Sequence, residues 1–176
     1  FPGISGDPDF YIAFSWRFWN LTRKEGNVGV VLPRGAFVNS GSESFRKNML
    51  EEGSVVDLSF IKNSGNWAFE GMEPRYTIGL FSFSKNPSTT DEVPIRGPFP
   101  DKTSFETGVK QDPHRFPVES AVEWMGTARF PLLPPEPKSV EAFGVLDHSP
   151  RLDHDDGETW RARPHRELDS AMDKKK

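Results

Sequence analysis

The sequence predicts an α/β protein built on an open sheet. Over residues 1–86, segments with helical spacing alternate with short apolar runs of strand length. The last two of those runs are separated by 14 residues that hold no convincing helix. A link of that kind suits an antiparallel pair at the sheet edge better than a parallel crossover.

Each element has its own signal. Asp7-Pro8 predicts a helix start, with Asp as N-cap and Pro at the first helical position, where a missing N–H costs nothing. Phe10, Phe14, Phe18 and Leu21 recur at helical spacing, Ile12, Trp16 and Trp19 widen the apolar face, and Gly26 ends the helix. This aromatic-rich segment reads as core rather than as a platform for stacking bases. Val28 to Leu32 is an unbroken apolar run, the pattern of a strand buried on both faces, and Pro33 stops it. Ser40 and Glu43 have capping-box spacing and open a helix through Phe45, Met49 and Leu50 that closes at Gly53. Strands are expected over Val55 to Ile61 and Tyr76 to Phe83, with a Gly/Asn loop carrying Trp67 and Phe69 between them.

The second half reads differently. Residues 87–176 hold 12 of the 16 prolines, and Asn86 to Val118 shows little periodicity, which predicts a loop-rich connector. Short helices are expected at Glu119 to Met125 and Ser139 to Leu146. The organisation expected is therefore residues 1–86 as one α/β unit and 87–176 as a Pro-rich extension. Residues 1–86 are electrically neutral, so the second half supplies the whole net charge of −4. That balance does not advertise nucleic-acid binding, although a basic patch on one face is compatible with it. The 12% aromatic content argues against disorder. Without cysteine there is neither a disulfide framework nor a thiolate metal site. With no signal peptide and no apolar run near the ~20 residues that span a bilayer, a cytoplasmic location is expected. A start at Phe1 rather than Met, and an end at Lys174-Lys175-Lys176 with no closing element, read as truncations.

Few constellations could carry chemistry. His148, Asp153, His154, Asp155 and Asp156 lie in a Pro- and Asp-rich stretch that reads as a solvated turn, so no metal is expected. No nucleophile elbow or phosphate-cradling glycine loop occurs, and Gly3 and Gly6 have no strand before them. Arg161, Arg163 and Arg166 beside Trp160 either grip phosphates or pair with Glu158, Glu167 and Asp169; the sequence leaves both readings open. Arg34 follows a strand directly, and in open α/β sheets ligands bind beyond the carboxyl ends of the strands.

The run Asp9-Phe10-Tyr11, Phe14, Arg17, Leu21, Gly26 and Gly29-Val30-Val31-Leu32-Pro33-Arg34-Gly35-Ala36-Phe37 resembles a segment of the adenine-specific DNA methyltransferases of type IIG and related restriction-modification systems. Gly41-Ser42, Phe45-Arg46, Leu50, Val55-Val56-Asp57-Leu58, Asn63 and Trp67-Ala68-Phe69 continue the likeness over residues 7–85. Trp160-Arg161-Ala162-Arg163-Pro164, Arg166-Glu167-Leu168-Asp169 and Asp173-Lys174 resemble the segment such proteins carry ahead of their DNA-recognition region. The resemblance implies the C-terminal half of a Rossmann-like sheet with an antiparallel edge strand. It also implies methyl transfer from S-adenosylmethionine to the exocyclic amine of a flipped adenine in double-stranded DNA. An endonuclease domain or subunit is a further partner that it admits. Neither the glycine-rich cofactor motif nor the catalytic Asn-Pro-Pro motif lies in the chain, though Phe1 stands where the last residue of the latter would fall. The isolated chain is therefore expected to be inactive, with the cofactor held mainly by an N-terminal half. The DNA contacts expected are Arg34, Ser42, Arg46, Arg161 and Arg163. The alternative is a non-catalytic DNA-binding or specificity subunit that keeps the fold.

Overall fold

A computed structural model describes residues 9–74, 76–87 and 91–119, together with the single positions 142, 145 and 149. Four helices, α1 (Phe10–Leu21), α2 (Gly35–Val38), α3 (Glu43–Glu52) and α4 (Lys102–Gly108), accompany five strands, β1 (Asn27–Pro33), β2 (Ser54–Lys62), β3 (Thr77–Ser84), β4 (Glu92–Phe99) and β5 (His114–Pro117). The strands form one mixed sheet in the order β1-β3-β2-β4-β5. β3 runs antiparallel to both β1 and β2, β4 is parallel to β2, and β5 is antiparallel to β4. The chain is thus α/β, as expected.

Alternation along the strands splits the apolar residues between two faces. Phe60 of β2 and Phe81 and Phe83 of β3 point into the larger core, while Ile61 and Ile78 belong to a smaller second cluster. On the larger side α1, α2 and α3 supply Trp16, Trp19, Phe37 and Phe45, which meet the sheet and one another mostly edge-on. Gly79 of β3 is required there, because a Cβ would stand 2.4 Å from the Phe37 ring. On the other side Trp67, Phe69 and Phe105 close over Ile61, Ile78 and Phe99.

Several expectations change. α1 begins at Phe10 with Asp9 at its N-cap, so Asp7 is not the cap, and the helix stops at Leu21 rather than Gly26. The Lys85 ammonium caps that end, donating to the Trp19 and Thr22 carbonyls (3.0 and 3.2 Å), where the helix dipole favours a cation. The buried stripe of α1 is Ile12, Ser15, Trp16 and Trp19, whereas Phe10, Phe14 and Leu21 are 84%, 56% and 69% exposed. The helix carries two apolar stripes, and the core takes the one with the two bulky indoles.

β1 is not buried on both faces: among the described residues its one neighbour is β3, and Val31 is exposed. An apolar run reports composition, not the number of neighbours a strand has. The antiparallel partner of β2 also lies inside the sheet rather than at its edge, since β3 sits between β1 and β2. α3 opens at Glu43 after a 3-10 turn over Ser40–Ser42, so Ser40 is not its cap, but it ends at Gly53 as expected.

The connector expected from residue 87 onward is corrected in its first part. β4, α4 and β5 extend the same sheet to Pro117, so residue 86 marks no boundary in it. Pro94 and Pro98 hid β4, because proline is disfavoured inside strands. α4 starts at an Asp101–Ser104 capping box, a signal visible in the sequence. Of the helix expected over Ser139 to Leu146 only Ala142 and Val145 are described, both helical; most of that over Glu119 to Met125, and everything from Arg151 onward, lie outside the described residues.

Candidate functional site

β1 ends at Pro33, and its last turn leads straight into α2. The Arg34 N–H donates to the Thr77 carbonyl (3.1 Å), while the Arg34 carbonyl accepts from Phe37 N–H (2.9 Å). Its backbone is therefore held by β3 on one side and α2 on the other, with the side chain exposed. At Gly35 a Cβ would sit 2.8 Å from the Tyr11 hydroxyl and 2.8 Å from the Asn39 amide nitrogen. Tyr11 lies in the first turn of α1, so α1 begins at the end of the sheet where β1 finishes.

Ser42 and Arg46 come to the same place but face inward. They are 2% and 1% exposed. The Arg46 Nη1 donates to the Ala36 carbonyl (2.8 Å), and the Ser42 hydroxyl donates to the Gly35 carbonyl at a long 3.4 Å. Both side chains thus hold the backbone of the segment that presents Arg34. The expectation of direct DNA contact at this end rests on Arg34 alone. Burial lowers the Arg46 guanidinium below its ordinary value, to about 10, with Glu43 and Tyr11 opposing the shift. It stays charged at neutral pH, and because its folded pKa is depressed, its burial cost is relieved only as pH rises above about 10. Stability changes between pH 5 and 9 therefore do not arise from Arg46.

Beside Arg34 lies the loop between β2 and β3, pinned by Asn63, which is 0% exposed. The Asn63 carboxamide oxygen accepts from Ala68 N–H (3.2 Å) and Phe69 N–H (3.0 Å). Its nitrogen donates to the Phe69 carbonyl (2.8 Å) and to Asn66 Oδ1 (3.2 Å). The Trp67 indole N–H donates to the Lys62 carbonyl (2.7 Å). Tyr76 closes the loop and is 56% exposed, one residue before Thr77, whose carbonyl accepts from Arg34 N–H. Sequence reasoning absorbed Tyr76 into a strand, where an aromatic is ordinary; only its exposure sets it apart. Asn63 carried a visible signal, an Asn directly after a strand and before a Gly/Asn turn.

Two shallow grooves of about 590 and 420 Å³ share Trp19, Asn48 and Glu52. They lie at the other end of the sheet, because Lys85 of the first groove follows Ser84, which pairs with the opening residue of β1. Of the three lysines that line them, Lys24, Lys47 and Lys85, the last is committed to the end of α1. Among the described residues no group of three His, Asp or Glu side chains could hold a metal, and no helix is long and apolar enough to cross a membrane. Phe1, the His148–Asp156 cluster, Arg161 and Arg163 lie outside the described residues. No protein-family model matches the chain, and no curated protein matches it either.

Proposed function

We propose that the chain is the C-terminal half of the catalytic domain of an adenine-specific DNA methyltransferase, completed by a cofactor-binding half that continues the sheet beyond β1. The observation that carries this reading is the convergence of three uncovered features around β1. Among the described residues, one edge of the strand has no partner. That edge belongs to an uncharged sequence, Asn27 to Pro33, without the lysines or bulges that usually protect an open edge. On one side of the sheet α1 exposes Phe10, Phe14 and Leu21; on the other β1 exposes Val31. A further α/β layer would cover all three together, and α1 would then be the crossover from a preceding parallel strand into β1. This accords with a Rossmann-like methyltransferase sheet in which β3 is the antiparallel member.

Among the described residues, the turn after β1 does not fit S-adenosylmethionine. The turn after β1 offers no glycine cradle, since Tyr11 and Asn39 crowd the one glycine in it, Gly35. Cofactor binding and the chemical step accordingly belong to the other half. The role of this chain is to close the sheet and to bring Arg34, held by α2 and β3, against the DNA backbone.

The full-length polypeptide is expected to transfer label from S-adenosylmethionine into adenine of duplex DNA, and to stop doing so when its Asn-Pro-Pro motif is mutated. DNA binding without transfer would make it a specificity subunit instead, and neither activity would leave only the fold. In the same polypeptide Arg34→Ala is expected to weaken DNA binding and to reduce the slope of log affinity against log salt by about one. An unchanged affinity at every salt concentration would exclude Arg34 from the contact.

A further inference from the structure

Tyr76 is 56% exposed, just before β3 begins, and belongs to neither apolar core. Its backbone, by contrast, is fixed on both sides. The Tyr76 carbonyl accepts from Asn63 N–H (3.1 Å), and the Tyr76 N–H donates to the Glu73 carbonyl (3.1 Å). The next residue, Thr77, accepts from Arg34 N–H. Tyr76, exposed on an immobilised backbone, is thus one residue from the backbone hydrogen bond that joins β3 to Arg34, itself exposed at the carboxyl end of β1.

We infer that Tyr76 is a stacking surface for a nucleobase whose neighbouring phosphate is gripped by Arg34; this rests on the DNA-modification reading. A base offers a flat π-face to a ring, and its phosphate offers oxygens to a guanidinium, so one nucleotide satisfies both side chains. Rigid placement lowers the entropy lost when an aromatic anchor is engaged. Glu70 and Glu73 are exposed on the same loop and repel a phosphate backbone. The contact is therefore a single nucleotide at the Arg34 side, not a long track across the loop.

The test is fluorescence anisotropy of the full-length polypeptide with a labelled 30-mer, as mixed-sequence duplex and as single strand, over a series of salt concentrations. Tyr76→Ala is expected to weaken binding about 5- to 100-fold, the range of one lost base stack. The salt slope should hold, because no charge is removed, which separates this variant from Arg34→Ala. Tyr76→Phe should bind as the wild type, and Tyr76→Leu, which keeps apolar bulk without a π-face, should bind as weakly as Tyr76→Ala. Wild-type affinity in Tyr76→Ala, alongside weakened binding in Arg34→Ala, would overturn the inference and leave the DNA reading standing. Equal retention in Tyr76→Leu and Tyr76→Phe would likewise overturn stacking. Failure of the wild type to bind either oligonucleotide would overturn the DNA reading and this inference together.

Discussion

Replacing Phe37 by alanine is expected to cost about 3–5 kcal/mol of folding stability, the range for a deleted buried ring. Phe37 is 2% exposed and meets Phe60 and Phe81 edge-on at 5.3 and 5.5 Å. The hole has little chance to close. Two of its walls are adjacent strands, β2 and β3, whose register is fixed by hydrogen bonds. A third is the bare backbone of Gly79, which leaves room for the ring and has no side chain to lean into the gap. The reverse change probes the same fit: a methyl at Gly79 collides with the ring, so Gly79→Ala is expected to cost about 1–3 kcal/mol by overpacking. With total stabilities near 5–15 kcal/mol, Phe37→Ala takes a large share. The denaturant midpoint should fall with little change in m. A loss below about 1 kcal/mol would mean that α2 is not seated by this ring.

The consequence reaches the candidate site, because Phe37 seats α2, and α2 with Arg46 fixes the turn that holds Arg34. Ser42 and Arg46 show why the sequence revealed the neighbourhood of this site but not its exposed members. A serine and an arginine beside an aromatic helix are the same letters whether they face a phosphate or a carbonyl. Here the Ala36 carbonyl takes the Arg46 guanidinium, and the Gly35 carbonyl, which already accepts from Asn39 N–H, takes the Ser42 hydroxyl as a second donor. β2 and β3 were legible because their apolar runs are flanked by turn residues. β4 was not, since two prolines break the same pattern. The two stripes of α1 were equally legible as helix, but periodicity cannot say which stripe a sheet will cover. The core takes the stripe of Ile12, Trp16 and Trp19, and the row on the opposite side of the helix, Phe10, Phe14 and Leu21, is left exposed.

Asn63→Ala is expected to release the β2–β3 loop while leaving most of the sheet intact. The substitution strips partners from the Ala68 and Phe69 N–H groups and from the Phe69 carbonyl. Each half-buried group left unpaired costs about 1–3 kcal/mol, unless the loop lifts and lets water replace the amide. Two effects therefore compete. The contacts of Trp67 and Phe69 with Ile61, Ile78 and Phe99 hold the loop down, and unpaired backbone pushes it up. Three orphaned groups outweigh two partly buried rings, so opening wins, with an expected cost of about 2–4 kcal/mol. Amide exchange at residues 68 and 69 should accelerate far more than in β2 and β3, and Asn63→Ala should also weaken whatever binding Tyr76 supports, through loss of its fixed backbone. Asn63→Asp separates the two halves of the amide. Its carboxylate still accepts from both N–H groups but now faces the Phe69 carbonyl and Asn66 Oδ1, which requires a proton to bridge. Its folded pKa is thereby raised above the usual carboxylate value of about 3.9, so the variant should be more stable near pH 4 than at pH 7. Exchange at residues 68 and 69 that is the same in Asn63→Ala as in the wild type would show that the aromatic cluster alone holds the loop.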